Sequence, residues 1–429
     1  MRAGWSCCAR HRDLSKSSSR WRAAANLEGG AAMTAETQHI SGNSLSRFNI
    51  FVVLLIPLVW TFEASAIGPA LGSIIQAFPD ATPLQAKLVM TMPFITAIIF
   101  SAVSGALARF VDRKVILIIG LLIYGITGML PAWLNDINQI LFMRLLTGVG
   151  VGLVSPIPNA IITERFEGEP QRRLLGMTSS ISMVANVIAS LVSGALLAYG
   201  WQYPFYTFAI VFVVALLALA GTPSALPNQG VRKGGLKDLP GSVYALFAFM
   251  SVNFAIQSII TTSVAIFMTS EHIGEPWMIG IVISFPGLAC FLLSPFYPEI
   301  LKVLKSLVIP ASFLLYAIGY YILAHAGTVV IVSLGAFLVG VGNAALTPHI
   351  LAMTSGRINS AQRDAAFGVV TAGIGAGIIL SPFFQSFAGA IGGTEAPRFI
   401  YLVATGTAIV LALIALAVSR NGKHIAVHE

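Results

Sequence analysis

Residues 148–176 read GVGVGLVSPIPNAIITERFEGEPQRRLLG, and residues 340–368 read GVGNAALTPHILAMTSGRINSAQRDAAFG. The two stretches align without a gap at an offset of 192, pairing Gly148 with Gly340, Gly150 with Gly342, Pro156 with Pro348, Arg165 with Arg357 and Gly176 with Gly368. Each reads as an apolar glycine-rich helix, an Arg-bearing polar turn and a second apolar helix. The two halves of the chain are therefore expected to be built alike. In a membrane protein, duplicated halves point to a transporter with its site between them.

Composition supports the membrane reading. The 429 residues are 56% hydrophobic and only 10% charged, whereas soluble domains carry about 25% charged residues to keep their surfaces wetted. Apolar runs of spanning length, about 20 residues, fall near 49–74, 85–108, 115–133, 138–163, 174–199 and 203–222. A second set falls near 242–269, 276–298, 306–325, 328–354, 365–391 and 398–419. The expected fold is an all-α membrane protein of twelve transmembrane helices in two pseudo-symmetric six-helix bundles, 48–222 and 241–419. The Pro/Gly-rich basic stretch 223–240 reads as the linker between them. These segments are too long and too apolar for barrel strands, and helices satisfy their own backbone inside lipid.

Lys and Arg set the expected orientation. With the N-terminus in the cytoplasm, the inner loops collect Arg109, Arg113, Lys114, Arg165, Arg172, Arg173, Arg232, Lys233, Lys237, Lys302, Lys305, Arg357 and Arg363. On the outer side only Lys87 and Arg398 remain, which is the positive-inside asymmetry. Trp133, Trp201 and Trp277 fall at outer ends, where an interfacial aromatic belt belongs. The net charge of +8 is thus a topological signal and no argument for nucleic acid. The expected location is the bacterial cytoplasmic membrane, with the tails 1–47 and 420–429 both inside. Residues 1–32 are basic and Ser/Ala-rich and lack the apolar core of a cleavable signal. Met33 is read as the true start, a disordered basic tail being the alternative. Cys7, Cys8 and Cys290 form neither metal spacing nor a disulfide framework.

No Walker P-loop, HExxH, GxSxG or CxxC pattern occurs, so enzyme chemistry and ATP-driven pumping have no site in the chain. No cofactor or metal is expected. The glycines at 148, 150, 340 and 342 lie inside spanning segments and follow no strand, so they read as helix-packing faces.

Arg144 and Glu63 carry the chemistry. A charge at the centre of a spanning helix costs about 2.5–3.5 kcal/mol on insertion scales, so it usually meets a partner or a wet cavity. Arg144 could also snorkel to the nearer surface. Glu63 is the one carboxylate deep in the first span, with Trp60 one turn before it. At 1.5 Å per residue it sits about 22 Å from the cytoplasmic side, and Arg144 about 9 Å from the other. Across a ~30 Å core the two depths nearly coincide. Such a pair is either purely structural or a carboxylate that takes up and releases a proton. Asn253, Gln257 and Thr261 recur every fourth residue and share a face. Asn343 and His349 lie in the tenth span, and Ser155 and Asn159 follow Arg144 in the fourth. These groups either line a substrate cavity or bond between helices.

The loop Gly105-Ala-Leu107-Ala-Arg109-Phe-Val-Asp112-Arg113-Lys114 is similar to the G-x-L-x-D-R-x-G-R-K signature of the major facilitator superfamily, with Arg109 and Asp112 departing from it. Arg144-Leu-Leu-Thr147-Gly148-Val-Gly150 resembles the family's R-x-x-Q-G-x-G element, with Thr147 at the Gln position. The resemblance covers residues 40–420. It implies spans 1, 4, 7 and 10 around a central cavity, Glu63 and Arg144 as a proton-coupling pair, and a gating role for Gly105, Leu107, Asp112, Arg113 and Lys114. The family's exporter element in the fifth span is largely missing, since Ala189-Ser190 stands at its Gly-Pro and Ser193-Gly194 at its final Gly-Gly. Ser381-Pro382 supplies a kink in the other half. The expected function is proton-coupled efflux of a small organic molecule, by a monomer in the lipid bilayer. Import of a small organic solute and a non-transporting membrane sensor are the alternatives.

Overall fold

The computed structural model describes residues 46–108, 110–166, 168–222, 239–355 and 363–420. Arg109, Arg357, most of the linker and the tails before 46 and after 420 lie outside the described residues, as do the side chains of Trp60 and Arg172. The described residues from Phe48 onward form a compact unit. Among the described residues every regular element is helical.

The first half of the chain opens with α1 (Arg47–Ile67), which runs through a 3-10 turn (Gly68–Ala70) into α2 (Leu71–Ala77). Then come α3 (Pro83–Leu107), α4 (Arg113–Met129), α5 (Ile137–Val154), α6 (Ile157–Arg165), α7 (Gly168–Leu196) and, after a 3-10 turn (Tyr203–Ala209), α8 (Ile210–Gly221). The second half holds α9 (Gly241–Ser270), α10 (Pro276–Leu293), a short α11 (Tyr297–Leu304), α12 (Val308–Ala324), α13 (Val329–Ser355), α14 (Arg363–Gly392) and α15 (Pro397–Arg420). Among the described residues, nine helical stretches are long and apolar enough to cross a membrane. One of them, Pro276–Ala324, contains α10 to α12. Shorter apolar stretches at Arg47–Val59 and Val184–Tyr199 belong to α1 and α7.

Local chemistry explains where several helices begin. Thr82 and Gln85 form a capping box at the start of α3, the Gln85 amide donating to Thr82 Oγ1 at 3.2 Å and the Thr82 amide to Gln85 Oε1 at 2.8 Å. Each end of the box satisfies an amide the helix leaves unpaired. Asp112 caps α4 by accepting from the Lys114 amide at 2.8 Å, and Asp136 caps α5 through the Asn138 amide at 2.8 Å. Pro156 splits the fourth predicted span into α5 and α6, whereas its counterpart Pro348 lies inside an unbroken α13.

Packing repeats between the halves. In the first, α3 packs on α5, α4 on α5 and α4 on α8; in the second, α10 packs on α13, α12 on α13 and α12 on α15. Glycines set how closely these helices approach. Gly148 faces the backbone of Pro93, and Gly340 faces that of Pro286, where a Cβ would lie 2.6 Å from the carbonyl oxygen. Gly150 packs against Gly120 and Tyr124, and Gly342 against Ser312 and Tyr316. Ser312 and Tyr316 stand 192 residues after Gly120 and Tyr124, so the offset extends to the partner helices. Without water, helices associate through such close contact of small residues.

The bundle has two ends, one carrying Phe78, Trp133, Trp201 and Trp277 and the other Arg113, Glu164, Lys302 and Lys305. At the Trp201 end the halves meet directly. Gly72 of α2 lies on Ala265 and Thr269 of α9, and Gly194 of α7 lies on Trp277 and Gly280 of α10. Farther along, α3 and α14 touch where Ile98 approaches Gly375. In the second half, Arg398 ties this end together. Its Nε donates to Glu271 Oε1 at 2.8 Å, and Nη1 and Nη2 to the carbonyls of Ala324 and Ala326 at 2.8 and 2.9 Å.

Two stability predictions follow from this packing. Gly148→Ala drives a Cβ into the Pro93 backbone, which has no flexible end to move, and overpacking of this kind costs about 1–3 kcal/mol. Gly105→Ala meets nothing within 4 Å and serves as the control; equal thermal unfolding of the two variants in detergent would contradict the close seam. The Arg398 guanidinium holds the exposed Glu271 carboxyl below its ordinary value. A depressed acid contributes stability above its unfolded pKa and loses it as pH falls through the folded one. Glu271→Gln should therefore melt slightly earlier than the native protein at neutral pH, by an amount typical of exposed pairs (about 0–1 kcal/mol), and together with it in acid.

Candidate functional site

Glu63 of α1 and Arg144 of α5 touch, and both are sealed from solvent at 1% and 0% exposure. Arg144 Nη2 donates to Glu63 Oε1, and Arg144 Nε donates to the Val89 carbonyl of α3 at 2.9 Å. The guanidinium carbon lies 5.4 Å from the centre of the Phe208 ring, a cation–π distance. Phe208 meets Tyr124 edge-on at 5.4 Å, and Tyr124 Oη donates to the Val59 carbonyl of α1 at 2.8 Å. Each of these neighbours belongs to the first half of the chain. Two polar atoms of the pair, Glu63 Oε2 and Arg144 Nη1, are buried without a hydrogen-bond partner. The pair is thus held on one side and left with one spare acceptor and one spare donor on the other.

The amides of the second half form their own network. Tyr316 Oη donates to Asn253 Oδ1 at 2.8 Å, Asn253 Nδ2 to Asn343 Oδ1 at 3.3 Å, and Thr347 Oγ1 to Asn343 Oδ1 at 2.8 Å. Asn253 and Asn343 therefore spend their polar atoms on bonds between α9, α12 and α13. Gln257 is half-buried on the next turn of α9. His349 Nδ1 lies 3.0 Å from Tyr297 Oη, joining α13 to α11. Ser155 is half-buried and Asn159 exposed, near the break between α5 and α6.

In the loop before α4, Asp112 serves as the helix cap described above. Arg113 makes a two-pronged pair with Glu164 of α6, Nη2 donating to Oε1 at 2.6 Å. Lys114 is half-buried, while Gly105 and Leu107 are exposed.

Several polar residues had no signal in the sequence reading. Glu164 is the partner of Arg113, but no periodicity marks a single acid in a turn. Gln385 of α14 is fully buried and donates to Thr262 Oγ1 at 2.8 Å and Ser381 Oγ at 3.2 Å, while Ser263 donates to its Oε1. Tyr316 was hidden among apolar neighbours, although its match to Tyr124 at offset 192 could have exposed it. Lys87, in the second turn of α3, is buried and feels the charge of Glu395 from the other half.

A sequence model of the Major Facilitator Superfamily matches residues 50–307 and 246–426. The chain is 22% identical over 182 residues to multidrug transporter protein MdtP of Bacillus subtilis, covering 42% of this chain and 33% of that protein. It is 30% identical over 164 residues to the bacillibactin exporter of the same organism, covering 37% and 40%. Against niacin transporter NiaP of Acinetobacter baylyi the identity is 22% over 192 residues, covering 43% and 44%. The matched stretches thus span less than half the length of these curated relatives. Among solved structures, nucleoside transporter NupG superposes with a TM-score of 0.71 at 14% identity, covering 88% of this chain and 100% of that one. A bacterial homologue of the human lysosomal transporter Spinster, solved in an inward-facing and occupied conformation, gives 0.70 at 14%, covering 89% and 96%. At such identities the likeness is one of fold. With the family match running over most of its length and its apolar helices packed in repeated pairs, the chain belongs to the Major Facilitator Superfamily and is a multi-pass membrane protein.

Proposed function

We propose that this transporter exports a small organic molecule by alternating access, driven by protons that load and leave Glu63, with Arg144 as the fixed counter-charge. The observation that carries this reading is the sealed Glu63–Arg144 pair with an unpartnered oxygen on the acid. A carboxylate in hydrocarbon is tolerable only beside a cation or after taking a proton. Exchanging one state for the other changes what the surrounding helices must accommodate, which couples proton and conformation.

In this reading twelve spans form two six-helix bundles, 48–222 and 241–419, joined by 223–240, and the protein works as a monomer. The Arg113 end faces the cytoplasm of a bacterial cell in this reading, which the Lys/Arg distribution supports. The contacts of Gly72 with α9 and of Gly194 with Gly280 then close the outer face. Substrate would enter from the cytoplasmic side, past Asn159 and Ser155 of the first half and Gln257 of the second. The Arg113–Glu164 pair would clasp α4 to α6 at that mouth.

Export is favoured by a multidrug transporter and a bacillibactin exporter among the relatives. Import is the second reading, because niacin transporters match at similar identity. Direction is decided in cells: deletion that sensitises them to compounds supports export, and deletion that abolishes growth on a solute supports import. For coupling, Glu63→Gln should remain folded in the membrane yet lose flux driven by an imposed pH gradient in proteoliposomes. Wild-type pH-driven flux in that variant would end the role assigned to Glu63.

A further inference from the structure

We infer that Pro93 is a positioning residue for Arg144, because it frees the backbone carbonyl on which the guanidinium is anchored. The inference rests on the proton-coupling reading of the Glu63–Arg144 pair. In an α-helix the carbonyl of residue 89 would accept from the amide of residue 93. Residue 93 is proline, which has no N–H to give, and it lies inside α3. Val89 O is left without its intrahelical donor in a buried position, and an unmet carbonyl there is costly. Arg144 Nε fills the vacancy at 2.9 Å.

The register of the two helices makes this anchor part of a ladder. Arg144, Gly148 and Gly152 follow one another at four-residue intervals on one face of α5, opposite Val89, Pro93 and Ala97 on α3. Gly148 and Gly152 bring the α5 backbone onto α3, so the short reach from Arg144 to Val89 O is fixed by the packing below it. One guanidinium N–H is then committed to the backbone. A second, on Nη2, serves Glu63 Oε1, while Glu63 Oε2 is left open. Arg144 stays in place when the carboxylate takes a proton, because its other bond does not depend on charge.

The second half supplies the internal control. Pro286 lies inside α10 and packs on Gly340 as Pro93 packs on Gly148. It likewise leaves Val282 without an intrahelical donor. The residue 192 after Arg144 is Ala336, which has no donor to offer. Both halves therefore keep the proline–glycine crossing as scaffold, and only the first uses the freed carbonyl to hold a charge.

The test compares Pro93→Ala with Pro286→Ala in purified full-length protein by infrared difference spectroscopy across a pH series. Pro93→Ala restores an amide to Val89 O. Nε is then released toward Glu63, where Arg and carboxylate favour a two-pronged pair. The guanidinium band identified by its loss in Arg144→Ala should shift in Pro93→Ala and remain in place in Pro286→Ala. The carboxyl band identified by its loss in Glu63→Gln should need about threefold higher proton concentration to appear in Pro93→Ala, roughly half a pH unit. Coincident spectra for Pro93→Ala and native protein would overturn the inference, as would equal shifts from both proline variants. If Pro93→Ala does not fold, Pro93→Gly supplies the same amide without a Cβ and is read the same way. Absence of any titrating Glu63 band would reject the proton reading alone, since the guanidinium band still reports the anchor.

Discussion

Inside hydrocarbon no water can replace a missing hydrogen-bond partner, so each buried donor and acceptor has to be met by the protein itself. The arrangement of this chain follows from that constraint. Tyr124 and Tyr320 point their hydroxyls at the backbone of α1 and α9, and Ser104 donates to the Leu153 carbonyl of a neighbouring helix at 2.8 Å. Gln385 and the Asn253–Asn343–Tyr316 group are saturated by one another and by hydroxyls. Among the described residues the exceptions are Glu63 Oε2, Arg144 Nη1, Thr222 Oγ1, Glu395 Oε2 and Tyr401 Oη, buried without partners. Two of these five atoms belong to a single buried ion pair.

Much of the scaffold was legible in the sequence because it depends on spacing. Apolar runs of spanning length marked the helices, and the offset of 192 marked the repeated crossings, since both halves must bring α5 and α13 close to their partners through glycine. The proximity of Glu63 and Arg144 could be anticipated from depth alone, as a ruler of 1.5 Å per residue places both at one level. The site's further partners were not legible. Val89 contributes only a backbone atom, and Phe208 and Tyr124 look like any core aromatic. The Asn253–Gln257 stripe and the separate Asn343 suit a cavity or a helix contact equally well, and only the position of Tyr316 distinguishes the two. Lys87 and Glu395 are far apart in sequence and belong to different halves, so no local pattern joins them.

The halves differ in chemistry more than in shape. The crossings at Gly148 and Gly340, the prolines beneath them and the tyrosines at 124 and 316 are shared. Charge is not shared: Ala255 and Ala336 stand where Glu63 and Arg144 would recur. A duplicated scaffold can thus assign ion handling to one copy and neutral hydrogen bonding to the other, with the packing of either left intact. Tyr124 illustrates the division, since its hydroxyl meets a carbonyl while that of Tyr316 meets an amide side chain.

The seam between α7 and α10 at Gly194 and Gly280 has a mechanical meaning of its own. Backbone rests on backbone there, Gly194 against Trp277 and Gly280, and Gly280 against Ser190. Surfaces of this kind behave as a smooth bearing: they separate without unthreading side chains and leave few polar groups stranded when they part. One pH unit across a membrane supplies about 1.4 kcal/mol per proton, a small force that suffices only where the moving parts are nearly balanced to begin with.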